Sequence, residues 1–280
     1  MPRLQPPEGY TTAKDAAERL HVSDGMLSIY VRQGKLHRYG PSGRHHKFYK
    51  ISELDAFIEA RQTFEEPYKR GQWKHNETST FRQAIPDDLD AIIAMSQRAY
   101  PEDGLPLRET WEGWMRKEPE SFQVLINQQN SVVGYSTILV MPPTTLDLFI
   151  RDALPVDEIR PDMLDVFQPN KALHLYVMSL VIDPQYPKLK KHEYGSRLIQ
   201  GIFSFFLGLA ERGIEVESIT ARSETPDGIR LMRKLGFPTV KSPIPRHNRY
   251  LFIVKVSESG LPLFERYSEL LARWKHQQEK

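Results

Sequence analysis

The sequence predicts a multidomain protein in which a small, mostly helical unit precedes a larger α/β unit. Within residues 1–62, two short capped helices are followed by a basic hairpin and a third helix. Residues 63–79 contain few apolar side chains, which is typical of a linker. From His174 to Phe237 the apolar pattern indicates a strand, a long helix, a second strand and a second helix. We therefore expect residues 80–280 to form the α/β unit.

The composition excludes several classes of protein. A chain of 280 residues, with 40% apolar and 26% charged side chains, can bury the cores of two globular domains. The absence of cysteine excludes disulfides, a thiolate nucleophile and a Cys-based zinc site, and we expect no metal cofactor. The first residues lack the apolar run of a secretory signal, and the longest apolar run, Ile202–Ala210, is too short to cross a membrane. We therefore expect a cytoplasmic protein without a membrane partner.

Helix caps and chain breakers organise the first unit. Thr12 and Asp15 have the spacing of a capping box, and the helix that follows carries one face of small apolar residues. Ser23 caps a second helix, which we expect to continue to Gln33. Two short strands flank a Gly-Pro-Ser-Gly turn at residues 40–43 and form a hairpin, and a third capped helix follows.

This arrangement resembles the winged helix-turn-helix of the MerR and excisionase families over about residues 9–61. The matching positions are Thr12, Ala16, Ala17, Leu20, Val22, Ser23, Tyr30, Gly34, Lys35, Leu36, Arg44, Phe48, Leu54 and Phe57. The resemblance implies that the second helix enters the major groove of double-stranded DNA while the wing contacts phosphate or the minor groove. It also implies a role in transcription regulation and a homodimer that reads two half-sites.

The local charge agrees with DNA binding. From Arg32 to Lys50 there are six lysines and arginines, three histidines and no carboxylate. Clustered cations release counterions from DNA, although a solvated basic surface is the alternative. The residues that we expect to contact DNA are Ser23, Ser28, Arg32, Lys35, Arg44, His45 and Lys47. His45 and His46 do not suggest a metal site, because adjacent side chains on a strand point to opposite faces.

The second unit opens with a short strand, residues 80–84, and a helix whose aspartates suit the positive end of its dipole. A further helix carries Trp111, Trp114 and Met115, which either wall a ligand pocket or belong to the core. Two paired strands, residues 122–126 and 132–140, come next.

An unusually long connection, Met141–Lys171, follows these strands. Short helical patches are predicted at Leu146–Leu154 and Met163–Phe167. A loop of this length is often functional, so we expect it to shape a ligand pocket; structural padding is the alternative. The terminal helix, Leu263–Gln278, carries an apolar stripe that either caps the unit or pairs with a second copy.

The most informative stretch begins with an apolar, β-branched strand, His174–Ile182, which ends at an Asp-Pro pair. A Lys-rich loop, Pro187–Tyr194, leads to a helix that we expect to open at about Gly195. The start of a helix presents free N–H groups and a positive dipole end, which suit a phosphate.

This stretch resembles the core of the GNAT acyltransferases, and the resemblance covers about residues 81–256. Lys190 stands where that family has Arg or Gln in its pyrophosphate loop, Gly195 matches the last glycine, and the ending Lys234–Phe237 matches well. The resemblance implies a mixed central sheet flanked by helices, with acetyl-CoA as co-substrate and an amine as acceptor. The acceptor could be a small molecule, a protein or tRNA.

The resemblance also implies which residues hold the coenzyme. Backbone amides of Leu180, Val181 and Ile182 would hold the pantetheine. The remaining contacts would come from Lys190, Lys191, Tyr194, Gly195, Ser196, Arg197 and Thr225. The sequence departs from the family at Glu193, which replaces a glycine, and at Met232, which replaces the tyrosine that often protonates the leaving thiolate.

Catalytic residues are harder to assign, because Met178 and Ser179 stand where the family often has a strand carboxylate. His174 and Glu224 are the nearest titratable candidates, and for each the alternative is a solvated or capping side chain. An amine with a low pKa would need only a water relay. Two other functions stay open: a regulator that senses acyl-CoA without turnover, and a toxin-like acyltransferase that controls its own operon.

Overall fold

The computed structural model describes residues 6–20, 24–32, 36–40, 48–58, 79–100, 105–240 and 250–278. The first unit comprises strands β1 (Tyr10–Thr11) and β2 (Tyr49–Lys50), and helices α1 (Ala13–Leu20), α2 (Asp24–Arg32) and α3 (residues 51–58).

The predicted cap of α1 is confirmed. The Thr12 hydroxyl accepts a hydrogen bond from the Asp15 N–H (3.2 Å) and donates one to the Asp15 carboxylate (2.7 Å). The three helices meet in a core to which Ala16, Leu20, Leu27, Tyr30, Leu36, Tyr49 and Leu54 contribute. Local capping and a small apolar face therefore suffice to place α1 against α2.

The predicted hairpin forms only in part. We expected strands over residues 35–39 and 47–51, paired with each other. In the described residues they meet at a single bridge between Tyr39 and Phe48. β2 instead pairs antiparallel with β1, because the N-terminal segment returns alongside it. Residues 41–47, the predicted turn and wing tip, lie outside the described part of the chain.

A seven-stranded mixed sheet forms the centre of the second unit. Its strands are β3 (Ser79–Gln83), β4 (Phe122–Asn127), β5 (Val132–Met141), β6 (Ala172–Ile182), β7 (Glu215–Ser223), β8 (Thr239–Val240) and β9 (Tyr250–Lys255). The spatial order is β3-β4-β5-β6-β7-β9-β8. Among the described strands, only β6 and β7 are parallel neighbours; the other neighbouring pairs are antiparallel. The predicted mixed sheet is therefore confirmed.

Helices cover both faces of this sheet. On one face, α4 (Leu89–Ala99), α5 (Arg108–Lys117) and α6 (Pro143–Ile150) pack on β4, β5 and β6. On the other, α7 (Lys188–Glu211), α8 (Pro226–Lys234) and α9 (Pro262–Gln278) enclose a second apolar core. Single-turn 3₁₀ helices lie at Pro86–Asp88, Pro119–Ser121, Val156–Glu158, Pro161–Met163 and Val256–Glu258.

The long connection between β5 and β6 is folded into the core. The Trp114 indole donates to the Ile159 carbonyl (2.8 Å), and the Phe167 N–H donates to the Glu118 carboxylate (2.8 Å). Trp111, Trp114 and Met115 are buried, so of the two alternatives they belong to the core. The helix predicted at Leu146–Leu154 begins and ends earlier, as α6. The patch Met163–Phe167 is not a helix, because Asp165 turns back to bond the carbonyl of β5 residue Val140.

The apolar stripe of α9 is used within the chain. The Tyr267 ring stacks on Phe206 of α7 with centroids 4.3 Å apart, and Leu271 is buried beside them. Gly213, which has φ +73°, lies against the Trp274 ring so closely that a Cβ would sit 2.4 Å from it. The stripe therefore caps the domain. No helix among the described residues is both long and apolar enough to cross a bilayer.

Candidate functional site

A β-bulge in β6 opens the centre of the sheet. Thr137 of β5 pairs with Ser179 and the next residue, Ile138, pairs with Val177, which leaves Met178 as the extra residue. Pairing between β6 and β7 ends at Val177 and Ala221. A bulge bends and twists its strand, which accounts for the separation of β6 from β7 at this point.

Beyond the bulge, β6 has a free edge. Residues 178–182 keep β5 as neighbour on one side, but no described strand pairs with them on the other. Backbone N–H and C=O groups along such an edge need hydrogen-bond partners. Leu180, Val181 and Ile182, predicted to hold pantetheine, all lie on this segment. The edge could therefore pair with an extended, amide-bearing ligand.

Helix α7 begins seven residues earlier than predicted. Pro187 is its N-cap, and the Lys191 N–H already donates to the Pro187 carbonyl (3.0 Å). The segment Lys190–Ser196, predicted as a pyrophosphate loop, is therefore helical, and Gly195 lies inside the helix. The free first-turn amides belong to residues 188–190 instead.

Glu193 explains why the helix extends so far. Its carboxylate pairs with Lys190 (2.8 Å) and Arg197 (3.4 Å), at spacings of i+3 and i+4 that stabilise a helix. The hydrogen bond to Glu193 raises the pKa of the Lys190 ammonium above its ordinary value. Two cations predicted to bind pyrophosphate thus share a carboxylate. Lys188 and Lys191 are exposed and form no ion pair with another described residue.

Three more predicted coenzyme contacts have structural roles. Tyr194 is buried edge-on against Tyr186, with centroids 5.2 Å apart. The Ser196 hydroxyl donates to the His192 carbonyl within α7 (3.0 Å). The Thr225 hydroxyl caps α8 by accepting from the Gly228 N–H (3.1 Å).

His174 and Glu224 are not brought together. His174 lies at the start of β6, where its Nδ1 is 2.8 Å from the Ser218 hydroxyl and its Nε2 is 3.6 Å from Glu217. The bulge at Met178 lies four positions further along β6, a distance of about 13 Å along a strand. Glu224 is exposed just after β7, at the edge where the parallel strands β6 and β7 separate. Only Glu224 therefore lies at the open end.

A cluster of buried hydroxyls beside the bulge was missed from the sequence. The Tyr135 hydroxyl is 2.6 Å from the Ser96 hydroxyl, and the two can share a hydrogen bond. Burial raises the pKa of Tyr135. The signal was available, because Ser136 and Thr137 interrupt an otherwise apolar strand. Ser96, which contacts Tyr135, lies 39 residues earlier in the chain, so the sequence could not show this contact.

Met232 is buried in the core beneath α7 and α9, where the resemblance places a tyrosine. A thioether cannot donate a proton, so this side chain cannot protonate a leaving thiolate.

In the first unit, α2 combines core and surface residues. Leu27 and Tyr30 are buried, and Arg32 is exposed at its end. The Ser28 hydroxyl, predicted to contact DNA, accepts from the Arg38 guanidinium (3.0 Å), which also donates to the Tyr49 hydroxyl (3.1 Å). The other predicted DNA contacts, Ser23, Lys35, Arg44, His45 and Lys47, lie outside the described residues.

Comparisons with known proteins match both units. Residues 11–62 match a family model described as a helix-turn-helix domain, so the chain carries such a domain at its start. No curated protein matches the sequence.

Solved structures similar to this chain include acyltransferase-type proteins. The chain is similar to Ard1 from Thermoplasma volcanium, at 16% identity and a TM-score of 0.42 over 64% of this chain and 98% of that one. It is similar to Arabidopsis thaliana NAA60 in complex with acetyl-CoA, at 14% identity and a TM-score of 0.43, over 64% of this chain and 99% of that one. It is also similar to the loading GNATL domain of CurA from Lyngbya majuscula, at 14% identity and a TM-score of 0.47, over 65% of this chain and 100% of that one.

Proposed function

We propose that this is a DNA-binding protein whose larger unit transfers an acetyl group from acetyl-CoA to an amine. The observation that carries the proposal is the free edge of β6 after the Met178 bulge, next to the start of α7. An extended pantetheine arm carries amides that can pair with such an edge. The first-turn amides of α7 and the exposed Lys188 and Lys191 would receive the diphosphate.

Acetyl transfer forms a bond between the acceptor nitrogen and the thioester carbon and breaks the bond between that carbon and sulfur. Backbone N–H groups at the bulge would stabilise the negative charge that develops on the carbonyl oxygen. Glu224, at the open end of β7, is the residue placed to accept the proton that leaves the nitrogen, directly or through water. Since Met232 cannot act as an acid, the thiolate takes its proton from solvent.

The helix-turn-helix domain would bring this chemistry to DNA. In the proposed binding mode, α2 enters the major groove while the basic segment 32–50 contacts phosphates. We further propose that the protein works as a homodimer in the cytoplasm and regulates transcription. Proteins or tRNA near the bound site, or a small amine, would serve as acceptor.

A regulator that senses acyl-CoA without turnover is the second candidate. Two observations favour it: Glu193 pairs with both Lys190 and Arg197 beside the proposed diphosphate site, which lowers the local positive charge, and Met232 is buried where an acid is expected. Either function needs the coenzyme to bind at β6 and α7.

Two experiments test the proposal. Calorimetry measures the binding of acetyl-CoA, and an isotope-labelled acetyl group reports its transfer to a panel of amines, proteins and tRNA. We expect measurable heat and label transfer with the full-length protein. Lys188→Gln with Lys191→Gln should weaken coenzyme binding by about tenfold at low salt, while the neutralising control Lys117→Gln should not. Heat without label transfer would establish the sensor; no heat would remove both functions.

A further inference from the structure

The first residues of α7 form an exposed surface that combines cations with an apolar side chain. All residues from Lys188 to His192 are exposed, and we term this segment the α7 face. Leu189 is 83% exposed, more than any other large apolar side chain among the described residues. Successive helix residues are about 100° apart, so Lys191, Lys188, His192 and Leu189 together cover an arc of about 160°. This arc is wider than one phosphate group covers, and it suits the surface of a protein.

The charge of the α7 face is of one sign. From Pro184 to His192 the sequence contains three lysines and no carboxylate. Lys188 and Lys191 form no ion pair with another described residue. The next carboxylate along the helix, Glu193, is engaged by Lys190 (2.8 Å) and Arg197 (3.4 Å). The α7 face therefore attracts an acidic surface.

The α7 face lies beside the proposed entry of the pantetheine arm. The free edge of β6 ends at Ile182, and residues 183–187 separate it from α7. These residues form a tight turn, in which the Tyr186 N–H donates to the Asp183 carbonyl (3.1 Å). The Asp183 N–H in turn donates to the Val133 carbonyl of β5 (3.0 Å), which holds the turn against the sheet. A molecule that delivers the arm to the edge therefore passes the α7 face.

The composition of the α7 face fits a protein-bound arm better than a nucleotide. Free coenzyme A brings a diphosphate and a further phosphate on its ribose, whereas an arm attached to a protein brings one phosphodiester. Glu193 lowers the positive charge that Lys190 and Arg197 offer to a diphosphate. Protein interfaces commonly place an apolar contact inside a polar rim, which is the arrangement of Leu189 among the lysines.

We propose that the α7 face docks an acyl carrier protein, a small protein with an acidic surface that presents its thioester on a 4′-phosphopantetheine arm. The inference rests on the proposed acetyltransferase function and names the form in which the donor arrives. Lys188 and Lys191 pair with carboxylates of the carrier, and Leu189 packs on an apolar patch between them. The arm then pairs with the free edge of β6. Free acetyl-CoA has the same arm and is the poorer donor.

The transfer step balances with the carrier as leaving group. The acceptor nitrogen forms its bond to the thioester carbon as the bond between that carbon and the sulfur of the arm breaks. The electron pair leaves with the sulfur, which takes a proton from solvent. The carrier departs with a free thiol, and the proton lost from nitrogen goes to solvent or Glu224.

The test compares three donors of isotope-labelled acetyl with the full-length protein and the acceptor panel named above. They are an acyl carrier protein loaded with acetyl-phosphopantetheine, acetyl-CoA, and acetyl-pantetheine, which has neither protein nor nucleotide. We expect kcat/KM at low salt to be about tenfold or more higher for the loaded carrier than for acetyl-pantetheine. High salt should reduce this advantage, because it screens the charges of the α7 face. A carrier that is no better than acetyl-pantetheine overturns the proposal.

Leu189→Gln isolates the apolar contact. Glutamine is a good helix former and the position is exposed, so the variant should fold as the wild type does. We expect it to lower kcat/KM for the loaded carrier by about tenfold and to leave acetyl-pantetheine unaffected. Leu107→Gln is the matched control, since Leu107 is 73% exposed but precedes α5, and it should change neither value. A loss with acetyl-CoA but not with the carrier would place the adenine on Leu189 and contradict docking.

Binding measurements separate failure of this inference from failure of the proposed function. Fluorescence anisotropy of a labelled carrier, titrated with the full-length protein, reports docking without turnover. If no donor transfers label but Leu189→Gln weakens carrier binding about tenfold, docking stands and the acetyltransferase function fails. If acetyl-CoA transfers label and the carrier does not bind, the function stands and docking is refuted.

Discussion

Arg98 and Asp183 join helix α4 to the end of β6 through a two-point ion pair, with Nη2 2.7 Å from Oδ2 and Nε 3.3 Å from Oδ1. Asp183 is 8% exposed, and its carboxylate also accepts from the Gln185 N–H (3.0 Å). This contact holds the free edge of β6 in place just before the chain turns into α7.

Removing this ion pair should therefore affect both stability and the site. We expect Asp183→Ala to lower the free energy of unfolding by about 1–3 kcal/mol, because it removes the two hydrogen bonds from Arg98 to a buried carboxylate and leaves the Gln185 N–H without this acceptor. Denaturant unfolding measures this. Asp147→Ala, which removes an exposed i,i+4 pair with Arg151, is the control and should cost less than about 0.5 kcal/mol. Equal effects of the two variants would contradict the assigned role of Asp183.

Two glycines of α7 should respond oppositely to alanine. A Cβ at Gly201 would lie 2.1 Å from the Phe81 ring of β3, whereas nothing lies within 4 Å of a Cβ at Gly208. We expect Gly201→Ala to destabilise by about 1–3 kcal/mol through overpacking. Gly208→Ala should stabilise by about 0.5–1 kcal/mol, because alanine is the better helix former. Thermal unfolding of the two variants checks the direction, and similar shifts in Tm would refute the close packing of α7 on β3.

Burial of Tyr267 makes stability depend on alkaline pH. Burial raises the pKa of its hydroxyl well above the ordinary value of 10.0. The unfolded tyrosine therefore ionises first, and the stability contributed by the neutral folded form is lost as pH rises above about 10. We expect Tyr267→Phe to lower stability by about 1–3 kcal/mol at pH 7, since the Val216 N–H loses its acceptor at 2.7 Å. The variant should also lose stability less steeply above pH 10 in urea titrations. A decline as steep as that of the wild type would show that Tyr267 is not responsible.

Glu193 should weaken coenzyme binding. Glu193→Gln frees Lys190 and Arg197 from their shared carboxylate, so we expect acetyl-CoA to bind about three- to tenfold more tightly at low salt. Glu211→Gln, at the far end of the same helix, removes the same charge and should have no effect. Calorimetry at two salt concentrations measures the affinity of both variants for acetyl-CoA. If both variants bind alike, the diphosphate does not lie at the start of α7.

The basic wing should contribute to DNA binding without sequence preference. We expect Arg44→Ala with Lys47→Ala to weaken binding to all duplexes and to lower the slope of log K against log salt by about 2. Lys14→Ala with Glu18→Ala removes an exposed pair on α1 and is the control. An unchanged slope in fluorescence anisotropy titrations would exclude the wing from the interface.

Much of the fold followed from local patterns in the sequence. The Thr12–Asp15 cap, the buried strand ending at Asp183 and the apolar stripe of α9 each depend on residues close in the chain. Such features depend on short-range hydrogen bonding and on periodic burial, which sequence spacing reports directly. The helices of the first unit and the individual strands of the second were recognisable for this reason, whereas the mixed sheet was expected only from the resemblance to the GNAT acyltransferases.

Other features required the tertiary structure. We expected the helix to begin at about Gly195. The Lys-rich segment before it is helical as well, because Glu193 pairs with Lys190 and Arg197 at helical spacing. His174 and Glu224 face opposite ends of a strand pair, which only the register of β6 and β7 reveals. The hydroxyls of Ser96 and Tyr135 meet from α4 and β5, two elements that are distant in the sequence. Sequence by itself determined which segments fold and which faces they bury; only packing decided which polar groups meet, because contacts across a sheet depend on register and on where a bulge shifts it.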